Sequence, residues 1–327
     1  MNSKQRVRWI DFSKAICIFF VVLGHALSYT NENEYAFRNF IFIFDLQVFF
    51  FVSGYLYRVK EKTIISNLVS NIKSLIIPYI FLNVIAVCLF FPSFIHNVKP
   101  TLHYFIIGHG YAPAGPAWFL LCLFWIKIQM FYVSRLDERI QLLIAFIYGF
   151  FAYYFPWHLY WGIDVSFMAM PIFIIGYLTK KHFSEFINKQ YSLWLLSGLF
   201  LIAFVATFYL SLIQHIESMF SRMFGTYGVL FYIGAVIGIV MIISISKLLE
   251  GFCNKVILML SSGSIIIMGL HGVFYRYTLA ILNKLSILTI SELNIPFKVT
   301  ICLVVLAEMY IPIIILRKYC SQFLGGR

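Results

Sequence analysis

The chain has 327 residues, of which 61% are hydrophobic and only 12% are charged. Soluble domains have roughly 45–50% apolar and about 25% charged residues, so this composition excludes a soluble globular protein. It also excludes a disordered or collagen-like chain, because phenylalanine and tyrosine are abundant, with 36 and 21 residues. The composition indicates a single integral membrane domain that spans residues 1–327 and contacts the lipid bilayer.

Ten apolar runs are long enough to predict membrane-spanning helices, since a span needs about 20 mostly apolar residues. The sequence therefore predicts an all-α, polytopic membrane protein with about ten transmembrane helices. The fifth and sixth runs are short, and an even number of spans places both termini on one side. The runs cover residues 9–28, 37–57, 75–94, 118–133, 140–155, 163–179, 191–213, 224–246, 261–282 and 297–316.

The basic residues predict the orientation. The net charge is +12, from 25 Lys and Arg against 13 Asp and Glu. The basic residues lie in short segments between the apolar runs, so we expect no nucleic-acid partner. With the N-terminus in the cytoplasm, eighteen of them fall on the cytoplasmic side, as the positive-inside rule requires. Both termini are thus predicted to be cytoplasmic, in a cell (inner or plasma) membrane. Lys127 lies inside a predicted span, and the six on the outer side are Arg38, Lys99, Arg222, Arg276, Lys284 and Lys298.

Neither the cysteines nor the loop histidines form a metal-binding pattern. The six cysteines show no CxxC pairing and mostly lie inside apolar runs, which favours packing roles over disulfides. His96, His103 and His109 lie in the predicted outer loop 96–116 but lack the spacing of metal ligands. We therefore expect no metal. The Gly-His-Gly and Pro-Ala-Gly-Pro turns predict that this loop has a defined shape.

The first predicted helix contains three ionisable residues, Asp11, Lys14 and His25. Eleven residues separate Lys14 from His25, about 1,100° of rotation, so both lie on one helix face, roughly 16 Å apart along the axis. Asp11 lies one turn before Lys14. Ionisable groups inside a membrane are functional candidates, and this face is typical of a transmembrane reaction path. The alternative is a snorkelling lysine and a histidine that forms an interhelical hydrogen bond.

The sequence around this helix resembles the membrane-bound acyltransferase-3 family, in which a basic residue precedes a histidine by ten intervening residues. Further segments resemble that family in the same order along the chain. They are Phe49-Phe50-Phe51-Val52-Ser53-Gly54, Ile76-Ile77-Pro78-Tyr79, Ala117-Trp118-Phe119-Leu120, Pro171 to Gly176-Tyr177, and Ser261 followed by His271. The resemblance implies an O-acetyltransferase that uses acetyl-CoA as co-substrate and acetylates a cell-surface or exported polysaccharide, such as O-antigen or capsule.

Depths along the helices add candidate residues to this interpretation. At about 1.5 Å per residue, Asp45 lies within a turn or two of His25 in depth, and its carboxylate could orient the imidazole. Ser53 reaches the level of Asp11 and Lys14, near Arg58 and Lys73. The basic residues at this cytoplasmic end suit the phosphates of coenzyme A. Glu308 is at a similar depth to His271, with Arg276 one turn further out, so they could line one cavity or simply hold helices together.

The predicted site therefore has three parts. The catalytic candidates are His25, Asp11 and Asp45, with His25 as the base because imidazole titrates near neutrality. The donor-binding candidates are Lys14, Ser53, Arg58 and Lys73. The acceptor-binding candidates are Trp118, His271 and Arg276, and Trp118 could stack on a sugar or anchor the helix at the interface.

Several alternatives remain open at this level. A transporter or flippase for a polar or glycolipid substrate would also place buried charges on a path. Such a protein should show inverted repeats or paired broken helices, and the sequence indicates neither. A non-catalytic membrane subunit would not explain why Lys14 and His25 lie on one helix face. The sequence does not distinguish direct transfer from an acetyl group carried on His25. It also leaves open the acceptor sugar and whether the protein forms a homo-oligomer.

Overall fold

The structure, a computed structural model, describes residues 7–28, 31–58, 63–89, 98–155, 157–215, 219–285 and 294–325. Within these ranges every regular element is helical. Nine helical segments of this described part are long and apolar enough to cross a membrane. The prediction of an all-α, polytopic membrane protein is confirmed.

The α-helices are numbered here in chain order. Several of the membrane-crossing segments consist of two shorter helices in succession. The helices are α1 (Arg8–Ala26), α2 (Glu32–Phe42), α3 (Asp45–Tyr55), α4 (Ile64–Asn71), α5 (Ile77–Leu89), α6 (Val98–Ile107), α7 (Trp118–Val133), α8 (Glu138–Tyr154), α9 (Ile163–Asn188), α10 (Leu193–Ile213), α11 (Gly228–Leu249), α12 (Lys255–Lys284), α13 (Ile295–Glu308) and α14 (Tyr310–Tyr319).

The helix count agrees with the predicted ten spans except at the fifth. The helix α8 fills that position but has 17 residues, the lower end of the range of about 17–25 for a span. The predicted outer loop 96–116 differs from expectation, because residues 98–107 form the helix α6. The ring of Phe105 stacks on Tyr79 of α5 with ring centroids 5.7 Å apart, which holds this helix against the bundle. His96 lies outside the described residues.

The second span is broken immediately before Asp45. Ile43 and Phe44 form a turn between α2 and α3, and the φ and ψ angles of Phe44 are −130° and −25°. Asp45 thus becomes the first residue of a helix, and its Oδ1 accepts a hydrogen bond from the backbone N–H of Leu46 at 2.7 Å. The sequence reading found no broken helix, because this apolar run continues through the break without a glycine or a proline.

The third span contains a π-helical turn, Ile72–Ile76, between α4 and α5. Pro78 lies two residues after the end of this turn. A proline inside a helix has no N–H to donate and its ring collides with the carbonyl four residues earlier, so the preceding turn widens. Lys73 lies in this widened turn.

The helix α1 lies at the centre of the bundle and packs against α3, α11, α12 and α13. Beside it, α3 and α9 pack at unusually close range through two glycines. A Cβ atom on Gly54 would lie 2.0 Å from the carbonyl oxygen of Phe173, and one on Gly176 would lie 2.1 Å from that of Phe51. Backbone therefore meets backbone at both crossings, which fixes the position of α3 beside α1.

Side-chain contacts define two ends of the bundle. At the end called here the Lys14 end, the rings of Trp9 and Tyr55 lie 5.3 Å apart and join the start of α1 to the end of α3. At the same end, Ser261 of α12 donates a hydrogen bond to Asp11 at 2.5 Å. The opposite end, called the His25 end, contains the last turn of α1 and the segment 107–118.

Candidate functional site

A cavity of about 820 Å³ opens at the His25 end. Its wall comes from α1, the segments 107–118, 158–164 and 220–223, and α12. Cavities of about 300–1,000 Å³ with convergent polar groups are typical of ligand sites. The histidine, acidic and basic residues in this wall are His25, His109, His158, Asp164, His271 and Arg276.

Two histidines from different helices meet in the cavity. The rings of His25 and His271 have centroids 5.2 Å apart and planes inclined by 39°. His25 is exposed to the cavity, whereas His271 is buried. The Nδ1 atom of His271 lies 2.8 Å from the carbonyl oxygen of Ile267. A carbonyl only accepts, so Nδ1 carries the proton and Nε2 of the neutral ring is left as an acceptor.

A second, small cavity of about 40 Å³ joins His25 to Asp45. Both residues line it, together with Phe42 and Trp118. Asp45 is buried, and its neighbours on this wall are mostly apolar. The volume is enough for one water molecule. The structure therefore brings Asp45 and His25 to the wall of one small cavity.

The predicted acceptor residues lie at the large cavity as well. Trp118, His271 and Arg276 all line it, and Trp118 is shared with the small cavity. Glu308 differs, because it accepts a hydrogen bond from Thr278 at 3.0 Å and is not part of the described wall. Thr278 is two turns from His271 on α12, so Glu308 instead holds α13 against α12.

Arg38 of α2 supports the His25 end of α1 and is a residue that sequence reasoning missed. It is buried, and its Nε donates a hydrogen bond to the carbonyl oxygen of Gly24 at 3.2 Å. Its guanidinium also lies 4.3 Å from the ring centre of Phe42. The positive charge is therefore held next to the peptide that carries His25. The sequence does contain a signal, because Arg38 is a lone arginine inside an apolar run. The sequence analysis used this arginine only to predict the membrane orientation.

A buried ion pair closes one side of the cavity and was also missed. Arg222 Nε lies 3.0 Å from Asp164 Oδ2, with both side chains buried, and Arg222 donates a further hydrogen bond to the Phe155 carbonyl at 2.6 Å. His158 Nδ1 approaches the same carboxylate oxygen at 3.3 Å. Arg222 has a φ of +53°, a strained value for a residue with a side chain. These contacts fasten the segments 158–164 and 220–223 to each other.

The predicted donor residues lie at the Lys14 end, away from both cavities. Lys14 and Ser53 are half-buried, whereas Arg58 and Lys73 are exposed. Asp11 accepts a hydrogen bond from Ser261. Fourteen residues, which correspond to roughly 21 Å of helix, separate Asp11 from His25. The structure thus separates Asp11 from the histidine with which it was grouped. A catalytic role for Asp11 stays a prediction, and its observed contact joins α1 to α12.

The comparison with known families agrees with this architecture. The profile of the acyltransferase-3 family, described as an acyltransferase domain, matches residues 7–315. No curated protein and no solved structure matches the chain. The match covers α1 through most of α14, and so contains both histidines and both ends of the bundle. The chain belongs to the acyltransferase-3 family and is a multi-pass membrane acyltransferase.

Proposed function

We propose that the protein transfers an acetyl group from cytosolic acetyl-CoA to a hydroxyl of a cell-surface or exported polysaccharide. The observation that carries this proposal is the pair His25 and His271 on the wall of an 820 Å³ cavity that also contains Arg276 and Trp118. A polar cavity with an accessible imidazole suits an acceptor hydroxyl that must lose a proton. The membrane in question is the cell membrane, with the Lys14 end in the cytoplasm.

His25 acts as the base. Its ring nitrogen takes the proton of the acceptor hydroxyl as the oxygen attacks the thioester carbonyl, and the tetrahedral intermediate then expels the thiolate. The proton passes to that sulfur, so the products are an acetyl ester and coenzyme A. The net reaction is the same if His25 first accepts the acetyl group and then passes it to the hydroxyl. Both routes need an unprotonated nitrogen on His25.

Asp45 and His271 position the base. Asp45 shares the small cavity with His25, where a carboxylate can hold an imidazole N–H directly or through one water. His271 has its tautomer set by the carbonyl of Ile267, so its Nε2 can accept a hydrogen bond from the acceptor or from His25. Arg276 and Trp118 contact the acceptor on the same wall.

The donor binds from the Lys14 end. Lys14 lies roughly 16 Å along α1 from His25, so a donor whose phosphates meet Lys14, Arg58 and Lys73 can extend its thioester towards the histidines. Ammonium and guanidinium groups form charge-assisted hydrogen bonds with phosphate. Ser53 lies one turn or less from Tyr55, whose ring contacts Trp9 at the start of α1, and so belongs to the same end.

Purified protein and labelled acetyl-CoA test this function directly. The acceptor is surface polysaccharide that is isolated from cells lacking the protein and that carries no O-acetyl groups. We expect the labelled acetyl group to be transferred to this polysaccharide. A transporter or flippase would leave the label in acetyl-CoA, and that result would contradict the proposal. The protein with His182→Ala, an exposed histidine at the Lys14 end, serves as an active control.

A further inference from the structure

A row of aromatic rings leads from the rim of the large cavity to its catalytic end. Ring centroids are 5.0 Å apart for Tyr111 and His109, 4.8 Å for His109 and Phe220, and 5.4 Å for Phe220 and Trp118. All four residues line the large cavity. Tyr111 is 74% exposed at the outer end, whereas Trp118 is 6% exposed and also lines the small cavity beside His25.

The position of the rings argues against a role as interfacial anchors. Aromatic residues that anchor a protein in a membrane face the lipid at the level of the headgroups. These four rings instead form part of the wall of a water-accessible cavity. A second tyrosine, Tyr104, lies behind the row and contacts both His109 and Tyr111, at 5.0 and 5.7 Å. Tyr104 therefore supports two of the rings that border the cavity.

The loop that carries His109 is tightly held and presents a defined donor. The backbone N–H of Tyr111 donates to Nδ1 of His109 at 3.2 Å, so in the neutral ring the proton is on Nε2. A Cβ on Gly110 would lie 3.1 Å from the ring of Phe220, which shows how closely the loop packs. Burial, followed by the neighbouring His158 and His103, lowers the pKa of His109. The imidazole is thus neutral at pH 7, with one donor available.

This combination suits a sugar. A pyranose ring has an apolar face of C–H groups bordered by hydroxyls, so it packs on an aromatic ring while its hydroxyls reach donors and acceptors beside that ring. The row has three successive steps of about 5 Å, from the exposed Tyr111 to the wall shared with His25. A single sugar at His25 would leave the outer part of the row unoccupied.

We propose that Tyr111, His109, Phe220 and Trp118 form a binding track for a glycan chain of two or more sugars, whose reactive unit lies at His25. This inference rests on the proposed acetyl transfer and extends it. The acceptor is recognised along the chain beyond the unit that is modified, and Tyr111 and His109 bind the units furthest from the chemistry.

The test uses Tyr111→Ala, with Tyr111→Phe as the variant that keeps the ring. Tyr111 is so exposed that its truncation leaves no void in the core. Tyr319→Ala removes a comparably exposed tyrosine, 67% accessible, at the Lys14 end and is the matched control. The probes are fragments of unacetylated surface polysaccharide from cells that lack the protein, separated into single sugars and longer oligosaccharides. KM and kcat are measured for transfer from labelled acetyl-CoA, and fragment binding is measured by calorimetry without acetyl-CoA.

We expect Tyr111→Ala to raise KM for the oligosaccharides by about tenfold, the usual effect of losing one important aromatic contact. The KM for single sugars, kcat and the affinity for acetyl-CoA should not change, and Tyr111→Phe and Tyr319→Ala should match the wild type. Equal KM values for long and short fragments in the wild type, or no effect of Tyr111→Ala, would overturn the track. Transfer to no fragment would instead contradict the acetyltransferase proposal. In that case, the binding measurement still decides the track. Weaker oligosaccharide binding in Tyr111→Ala than in the wild type would support the track, whereas equal binding would overturn the track as well as the acetyltransferase proposal.

Discussion

At the scale of single residues, the proposed mechanism places proton transfer and donor binding at opposite ends of one helix. His25 contacts His271 and lines both cavities, whereas Lys14 lies roughly 16 Å away at the other end of α1. The two positions share a helix face, so the proposed donor would extend from Lys14 towards His25. Each residue should therefore affect a different kinetic quantity.

Lys14→Ala should weaken acetyl-CoA binding much more than His25→Ala does. A charge-assisted contact contributes about 1.5–3 kcal/mol, which corresponds to roughly a ten- to hundredfold loss of affinity. Lys14→Arg should recover part of the loss, because it keeps the positive charge. Calorimetry on detergent-purified variants measures the effect. Lys255→Ala, which removes an exposed lysine from the start of α12, controls for the general loss of charge. Unchanged affinity in Lys14→Ala would leave this residue only a snorkelling role.

His109 should titrate below the ordinary histidine pKa of about 6.5 and remain neutral at pH 7. Burial opposes its protonation most, and His158 and His103 add to the effect. Protonation would also remove the Nδ1 acceptor that holds Tyr111, so oligosaccharide affinity should fall as the pH drops through that lowered pKa. NMR of ¹⁵N-labelled histidine, assigned with His109→Asn, measures the midpoint. His158→Asn should move it upward, and a midpoint above 6.5 in the wild type would show this account of the loop to be wrong.

The sequence predicted these residue positions only where a single helix sets the spacing. The shared face of Asp11, Lys14 and His25 follows from the helical repeat, and the depth of Asp45 follows from the rise per residue. The pair Asp164–Arg222 and the contact His109–Phe220 join residues that are far apart in the chain. Such contacts depend on how loops fold back over the bundle, which no local pattern records.

At the scale of helices, close packing explains the glycine of a segment that was identified by its resemblance to the family. Gly54 of the Phe-Phe-x-x-Ser-Gly segment lies against the backbone of α9, and Gly176 lies against the backbone of α3. The two glycines bring α3 and α9 together, and α3 in turn carries Asp45 to the small cavity. The break before Asp45 was not predicted, because residues 37–53 contain neither a glycine nor a proline.

Gly54→Ala should destabilise the protein, because its Cβ would overlap the carbonyl oxygen of Phe173 and neither backbone can move alone. Overpacking of this kind costs about 1–3 kcal/mol or more. Gly198→Ala in α10 is the control, since no heavy atom lies within 4 Å of its Cβ position. That change should be neutral or stabilise the helix by up to about 1 kcal/mol. Thermal unfolding in detergent compares the two, and equal melting temperatures would argue against a tight α3–α9 crossing.

At the scale of the whole molecule, the charges at the two ends differ in kind as well as in number. Three of the six cations assigned to the outer side are buried in specific contacts. Arg38 bonds the Gly24 carbonyl, Arg222 pairs with Asp164, and Lys298 pairs with Glu34 at 2.6 Å. The other three, Lys99, Arg276 and Lys284, are exposed. The surface at the His25 end therefore has even less positive charge than the sequence count indicates, which favours an outward orientation of that end.

Cysteine labelling tests this orientation. In a background in which the six native cysteines are replaced, Tyr111→Cys should react with a membrane-impermeant maleimide applied to intact cells. Tyr319→Cys should react only after permeabilisation. Both positions are highly exposed, so access to the reagent depends on the side of the membrane. The opposite pattern would reverse the predicted topology, and labelling of both from outside would mean that the number of crossings between them is even.

The central claim is that His25 performs the transfer, and O-acetylation of the surface glycan in cells that carry His25→Ala tests it most directly. Loss of a general base typically lowers the rate by about 10²–10⁴-fold. We predict that mass spectrometry finds almost no acetyl ester on the glycan, while the variant accumulates to the wild-type level and keeps its affinity for acetyl-CoA. His182→Ala should acetylate normally. Wild-type acetylation in His25→Ala would contradict the account and leave this histidine a structural role only.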